Sequence, residues 1–85
     1  MNKEEIKGEV RNFIAKKMFK GNLPSDFTDD TKLISSRLID SIVVLSMVNY
    51  LEEKSKTEFE AHEVSVENLD TVNIIADFLS KKLSK

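Results

Sequence analysis

The segment from Ser41 to about Ser55 constrains this fold most, because it has more apolar residues than one helix face can hide. Its apolar residues are Ile42, Val43, Val44, Leu45, Met47, Val48, Tyr50 and Leu51. A helix with this pattern is central in its domain, or it presents part of its surface to a partner. Asp40 precedes the segment and is expected to cap the free N–H groups of its first turn.

Another helix is predicted earlier in the chain, over residues 3–20, where apolar residues recur at helical spacing with charged residues between them. We call it helix I and the helix from Ser41 helix II. The apolar positions are Ile6, Val10, Phe13, Ile14 and Met18. Gly21 is expected to stop this helix in a left-handed conformation, and Pro24 follows three residues later. We therefore predict that helix I ends near Lys20.

The twenty residues between these helices, residues 21–40, show no clear periodicity and form a long connection for a compact domain. Their apolar residues are Leu23, Phe27, Leu33, Ile34, Leu38 and Ile39. With so many apolar anchors, we expect a loop pinned across the helices. A short helical turn is expected around residues 28–32.

The last third of the chain predicts short helical pieces before a final helix. Residues 54–56 are expected to form a turn and residues 57–60 an irregular or extended stretch. One helical turn is predicted at residues 62–64 and a second at residues 65–69, capped by Ser65. Asp70 or Thr71 would cap a helix over Val72–Leu83, whose inward residues are Val72, Ile75, Phe78, Leu79 and Leu83.

These elements predict an all-α fold, a small four-helix bundle with three main helices, one short helix and a long loop between helix I and helix II. Residues 1–85 make a single domain with a thin core, since a chain this short buries only about 60–65% of its unfolded surface. Tyr50 is expected to be half exposed. The residues expected in the core from these helices and from the 57–60 stretch are Met47, Val48, Leu51, Phe13, Phe59 and Phe78.

Several kinds of chemistry lack the residues they need. There is no cysteine, and the single histidine, His62, is interpreted as a surface residue, so no metal site is predicted. Two glycines cannot form a glycine-rich phosphate cradle. The acid pairs Asp29-Asp30 and Glu52-Glu53 are chain neighbours, which do not face each other on a helix. We do not expect an enzyme.

Charge argues against a nucleic-acid partner. Residues 1–20 carry six bases and three acids, whereas residues 21–77 carry four bases and twelve acids. A nucleic-acid surface needs the opposite balance, and the basic ends are interpreted as solvated helix faces. We see no signal peptide and no apolar run of membrane-spanning length, so we expect a cytoplasmic protein without membrane insertion.

Ser41, directly after Asp40, remains as the candidate functional residue. The run Leu38-Ile39-Asp40-Ser41-Ile42, entering an apolar helix that ends Leu51-Glu52-Glu53, resembles the attachment motif of acyl carrier and peptidyl carrier proteins. Residues 63–72, Glu-Val-Ser-Val-Glu-Asn-Leu-Asp-Thr-Val, resemble the segment that joins helix III to helix IV in freestanding carriers of specialised pathways. The resemblance covers nearly the whole chain.

This resemblance implies that Ser41 bears a 4′-phosphopantetheine group through a phosphodiester, with Asp40 in a supporting role. A separate phosphopantetheinyl transferase would attach the group from coenzyme A. The thiol would then hold an acyl or aminoacyl group as a thioester. Implied partners are a loading enzyme and a downstream synthase or transferase, and the carrier itself is expected to be a monomer.

Two departures from the family pattern bear on this interpretation. Many carriers have glycine where this chain has Leu38, and fatty-acid carriers have acids early in helix II, where residues 42–51 carry no charge. We therefore expect apolar rather than ionic partner contacts, and a specialised carrier rather than the housekeeping fatty-acid carrier. The predicted partner face is Ile42, Leu45, Ser46 and Asn49. For Ile42 and Leu45, core packing is an equal alternative.

Two other functions stay open at this point. One is an aminoacyl or D-alanyl carrier, which residues 67–71 fit equally well. The other, from a different class, is a helical adaptor without a prosthetic group, in which Ser41 is an ordinary serine at a helix start.

Overall fold

The computed structural model describes residues 1–84, which contain four α-helices and no strand. The helices are α1 (Lys3–Met18), α2 (Ser41–Ser55), α3 (Val66–Leu69) and α4 (Val72–Leu83), with a 3₁₀ turn at Ala61–Glu63 between α2 and α3. The predicted all-α class, with three main helices, one short helix and a long first loop, is confirmed. In this part of the chain no helix combines the length and the apolar character that a bilayer crossing requires.

Helix α1 has well-defined ends. Asn2 caps its start, because its side chain accepts from the Glu5 N–H at 2.8 Å while the Glu5 carboxylate accepts from the Asn2 N–H at 2.9 Å. The helix stops at Met18, two residues before the predicted end. Lys20 (φ 55°) and Gly21 (φ 98°) are both left-handed, so the predicted conformation of Gly21 is confirmed.

The core lies between α1, α4 and the inner face of α2, and α1 packs chiefly on α4. Met47, Val48 and Leu51 are buried, as predicted. On α4, the predicted inward residues Val72, Ile75 and Leu79 are fully buried, whereas Phe78 and Leu83 are only half-buried. Phe13 and Phe59 are half-buried and pack against the core, so these two predicted core residues lie at its margin.

The connection between α1 and α2 has no helix but is firmly attached. Leu33 is fully buried and Ile39 nearly so, which confirms a loop pinned by its apolar residues. The helical turn expected at residues 28–32 is a single tight turn, in which the Thr31 N–H donates to the Thr28 carbonyl at 3.1 Å. The turn expected here is therefore present, and it does not continue into a helix.

Polar contacts complete the attachment of this loop to α1 and α4. Asp29 accepts from Arg11 Nε at 2.8 Å, and its backbone carbonyl accepts from the Asn73 N–H at 3.0 Å. The Asn73 side chain donates to Asp30 at 2.8 Å. The loop is therefore held at its middle by one helix from each end of the chain.

Candidate functional site

Ser41 is the first residue of α2 and is exposed to solvent. The preceding residue, Asp40, has extended backbone geometry, and its Oδ1 accepts from the Val43 N–H at 2.9 Å. Its carbonyl accepts from the Val44 N–H at 2.9 Å and so begins the helix. The predicted cap is confirmed, and it fixes the serine at the first turn.

The backbone around Ser41 leaves donors free. Asp40 occupies the Val43 N–H, whereas the N–H groups of Ser41 and Ile42 make no hydrogen bond to any group in residues 1–84. Such groups carry the positive end of the helix dipole, which favours a nearby anion. The Ser41 and Ile42 N–H groups are therefore available to a further acceptor at this helix start.

An apolar groove of about 350 Å³ borders Ser41. Its floor comes from α2, one wall from the loop and the other from the segment that enters α3. Its lining residues are Ile34, Ser41, Val44, Leu45, Val64, Ser65 and Val66. None of them is charged, so the groove suits an uncharged apolar group better than an ionic one.

Exposed apolar side chains surround the same serine. The residues 1–84 expose four large apolar side chains, and three of them are Ile42 (73% exposed), Leu45 (56%) and Val66 (45%). Leu45 and Val66 line the groove, and Ile42 follows Ser41 in the chain. Clustered exposed apolar residues typically mark a binding surface.

The orientation of α2 explains which of its residues reach solvent. Its buried residues, Val44, Met47, Val48 and Leu51, follow the spacing of one helical face. Ile42, Leu45 and Asn49 therefore lie outward, and Ser46 is half-buried. For Ile42 and Leu45 the alternative of core packing was wrong. All four residues of the predicted partner face keep some solvent access.

The loop before Asp40 has Leu38 at the position where many carrier proteins have glycine. Arg37 (φ 66°), and not Leu38, is left-handed here. The turn is closed by the Arg37 N–H donating to the Ile34 carbonyl at 2.9 Å and by the Ile39 N–H donating to the Leu33 carbonyl at 3.0 Å. A left-handed residue is thus present in this turn, at the position before Leu38.

Asp70 is the residue near this site whose role the sequence did not reveal. Thr71 caps α4, since its Oγ1 accepts from the Ile74 N–H at 3.0 Å, so of the two candidate caps Asp70 was wrong. Asp70 is 5% exposed and accepts from the backbone N–H groups of Ile34 and Ser35, each at 2.9 Å, and from Ser35 Oγ at 2.8 Å. Burial alone would raise the pKa of Asp70, but these hydrogen bonds outweigh it and lower that pKa.

The opposite side of α2 carries Tyr50, which is half-buried as predicted. Nine residues separate it from Ser41, about two and a half turns, so the two side chains leave the helix in opposite directions. Tyr50 donates to the Glu9 carboxylate, packs on Phe13 with ring centroids 5.5 Å apart, and lies under the Lys54 ammonium. The bond to Glu9, with burial, raises the pKa of Tyr50 to about 12.

The remaining candidate side chains lie away from Ser41 or serve the fold. His62 is exposed in the 3₁₀ turn. Glu52 accepts from the Phe59 N–H at 2.7 Å, and Asp29 and Asp30 hold the loop. Within residues 1–84, no three His, Asp or Glu side chains are grouped so that they could hold a metal ion.

Comparisons with protein-family profiles, with curated proteins and with solved structures found no match for this chain. The resemblance to carrier proteins therefore stays a prediction.

Proposed function

We propose that this protein is an acyl carrier that bears 4′-phosphopantetheine on Ser41. One observation carries the proposal: an exposed serine hydroxyl at the start of α2 borders an uncharged groove and has three exposed apolar side chains around it. An attachment site needs access for a modifying enzyme, and an acyl carrier needs apolar surface near its cargo. Both needs are met at the same residue.

The residues present fit the proposed group. Ser41 Oγ would form the phosphodiester, and the free N–H groups of Ser41 and Ile42 would favour its charge. Asp40 would hold the first turn in place through its bond to Val43. When attached, the group supplies a thiol that can hold an acyl chain as a thioester, and the chain has no cysteine of its own.

The groove favours an acyl over an aminoacyl cargo. An aminoacyl group carries an ammonium, which needs a carboxylate or several acceptors when it leaves water. The groove lining offers two serine side chains and no carboxylate. We therefore rank an aminoacyl or D-alanyl cargo second.

The outward face of α2 supports a specialised partner set. From Ser41 to Leu51 it has no charged residue, so a partner would contact Ile42 and Leu45 by apolar burial. Electrostatic steering at this end would be weak. A competition assay with a fatty-acid ketosynthase or acyltransferase tests this point, and efficient turnover by either enzyme would contradict a specialised carrier.

The decisive experiment is an intact-mass measurement after incubation with coenzyme A, Mg²⁺ and a broad-specificity phosphopantetheinyl transferase. We expect a gain of one phosphopantetheine on the wild type and none on Ser41→Ala. Ser80→Ala, a serine substitution on α4, is the matched control and should gain the same mass as the wild type. No gain on the wild type would reject the carrier and favour the helical adaptor, for which the exposed apolar face would be the binding surface.

A further inference from the structure

Asp70 is a buried carboxylate for which an acyl carrier has no evident chemical use. It lies at the end of α3, and its three hydrogen bonds all reach the loop, at Ile34 and Ser35. Its backbone carbonyl adds a fourth, accepting from the Leu33 N–H at 2.7 Å. One residue thus holds three consecutive loop residues.

A short path connects Asp70 to the start of α2. The Leu33 N–H donates to the Asp70 backbone carbonyl, and the Leu33 carbonyl accepts from the Ile39 N–H at 3.0 Å. Ile39 precedes Asp40, which caps the helix at Ser41. Two hydrogen bonds therefore connect the end of α3 with the residue before the cap.

The same contacts set the two walls of the groove. Ile34, held by the Asp70 carboxylate, forms the loop wall, and Val64 and Val66, just before and at the start of α3, form the other wall. Helix α3 packs mainly on α4 and has little contact with α2. The bonds at Asp70 are accordingly a main polar connection between the two walls.

We infer that Asp70 is a positioning residue, which sets the width of the groove beside Ser41 and the orientation of that serine by holding residues 33–39. The inference rests on the proposed function, because it takes Ser41 as the residue to be modified. Asp70 does not line the groove. Its carboxylate acts through Ile34 and Ser35, which directly follow Leu33, whereas the bond from Leu33 goes to the backbone carbonyl of residue 70 and is kept in any side-chain variant. The chemistry fits this role, since a carboxylate can accept all three donors at once.

The test compares Asp70→Ala with Asp70→Asn and with a control that loses stability elsewhere. The alanine removes every side-chain acceptor, whereas the asparagine keeps one carbonyl oxygen for the loop N–H groups. Asn2→Ala, which removes the cap of α1, is the control, since the loss of a helix cap and the loss of buried hydrogen bonds both lower the stability of the fold. All measurements are made well below the melting temperature of each variant.

The first readout is the rate of Ser41 modification by the transferase with coenzyme A. We expect kcat/KM to fall on the order of tenfold in Asp70→Ala, mainly through KM, because small misplacements of a reacting group have effects of this size or more. Asp70→Asn should recover part of the loss, and Asn2→Ala should match the wild type. Equal rates for all variants, or equal losses in Asp70→Ala and Asn2→Ala, would overturn the inference.

The second readout does not need modification. In ¹⁵N NMR spectra, Asp70→Ala should speed exchange of the Ile34 and Ser35 amides on the order of tenfold, because both lose their acceptor, and should shift the amide signals of Ile39, Ser41 and Ile42. Unchanged exchange and unchanged signals would overturn the inference even if no transferase modifies the wild type, an outcome that would reject the proposed function alone. If Asp70→Ala does not fold, Asp70→Asn and Ser35→Ala are measured in its place, and each should move the same signals by less.

Discussion

Leu33 provides the sharpest test of how the loop is held, because it is a fully buried residue in a segment without helix or strand. Leu33→Ala removes three carbons from the core, which corresponds to about 2.4 kcal/mol of lost burial. The cavity left behind adds to this, so we expect a loss of about 3 kcal/mol in the free energy of unfolding. For a chain of 85 residues the total is only about 4–13 kcal/mol.

Urea unfolding monitored by circular dichroism measures this loss. At a slope of about 1 kcal/mol per molar urea, the unfolding midpoint should fall by about 3 M. Leu38→Ala in the same loop is the matched control. Leu38 is only half-buried, so we expect its substitution to cost about half as much.

A small effect at Leu33 would refute the reasoning. Substitutions at exposed loop positions change the free energy of unfolding by about 0.5 kcal/mol or less. If Leu33→Ala stayed within that limit, the loop would not be part of the core. The wall of the groove at Ile34 would then lack the support described above.

Three further predictions concern the cap and two ionisable groups. Asp40→Ala should lower the free energy of unfolding by about 1 kcal/mol in the same urea assay, whereas Asp40→Asn should change it little. Tyr50, the single tyrosine, should ionise near its pKa of about 12 in a spectrophotometric titration, and Glu9→Gln should lower that pKa. Because the unfolded tyrosine ionises near about pH 10, stability from this group is full below that pH and is lost as pH rises to about 12. The pKa of Asp70 is lowered by folding. The stability that this group contributes is therefore present above the pKa of an unfolded aspartate, about 3.9, and is lost as pH falls through the pKa of the folded protein. In Asp70→Asn, the urea midpoint should fall less steeply as the pH is lowered.

The helices were predictable because their signals are local. Asp40 and Thr71 each cap a helix through a backbone N–H three residues away. Ser65 does stand at the start of α3, although its side chain makes no capping bond. Periodic apolar residues supplied the rest, and the same local signals placed Ser41 at the first turn of α2.

The apolar attachment of the loop was predictable, but its polar contacts and the groove were not, because the residues involved are remote along the chain. Asp70 lies 36 residues from Ile34, and Asn73 lies 43 residues from Asp30. No spacing rule connects such pairs. The exposure of Ile42 also required the structure, because a helix that is apolar on most sides does not reveal its own rotation.

The attachment of the loop to Asp70 and Asn73 has a consequence for shortened chains. The residues that lead into Ser41 lie in the first half of the sequence, yet two of their polar supports lie in the second half, Asp70 at the end of α3 and Asn73 in α4. A fragment that kept α1 and α2 but stopped before residue 70 would retain the serine and lose the scaffold beneath it. A shortened form of this protein that is to keep the native loop therefore has to include α4, although that helix is remote from Ser41 along the chain.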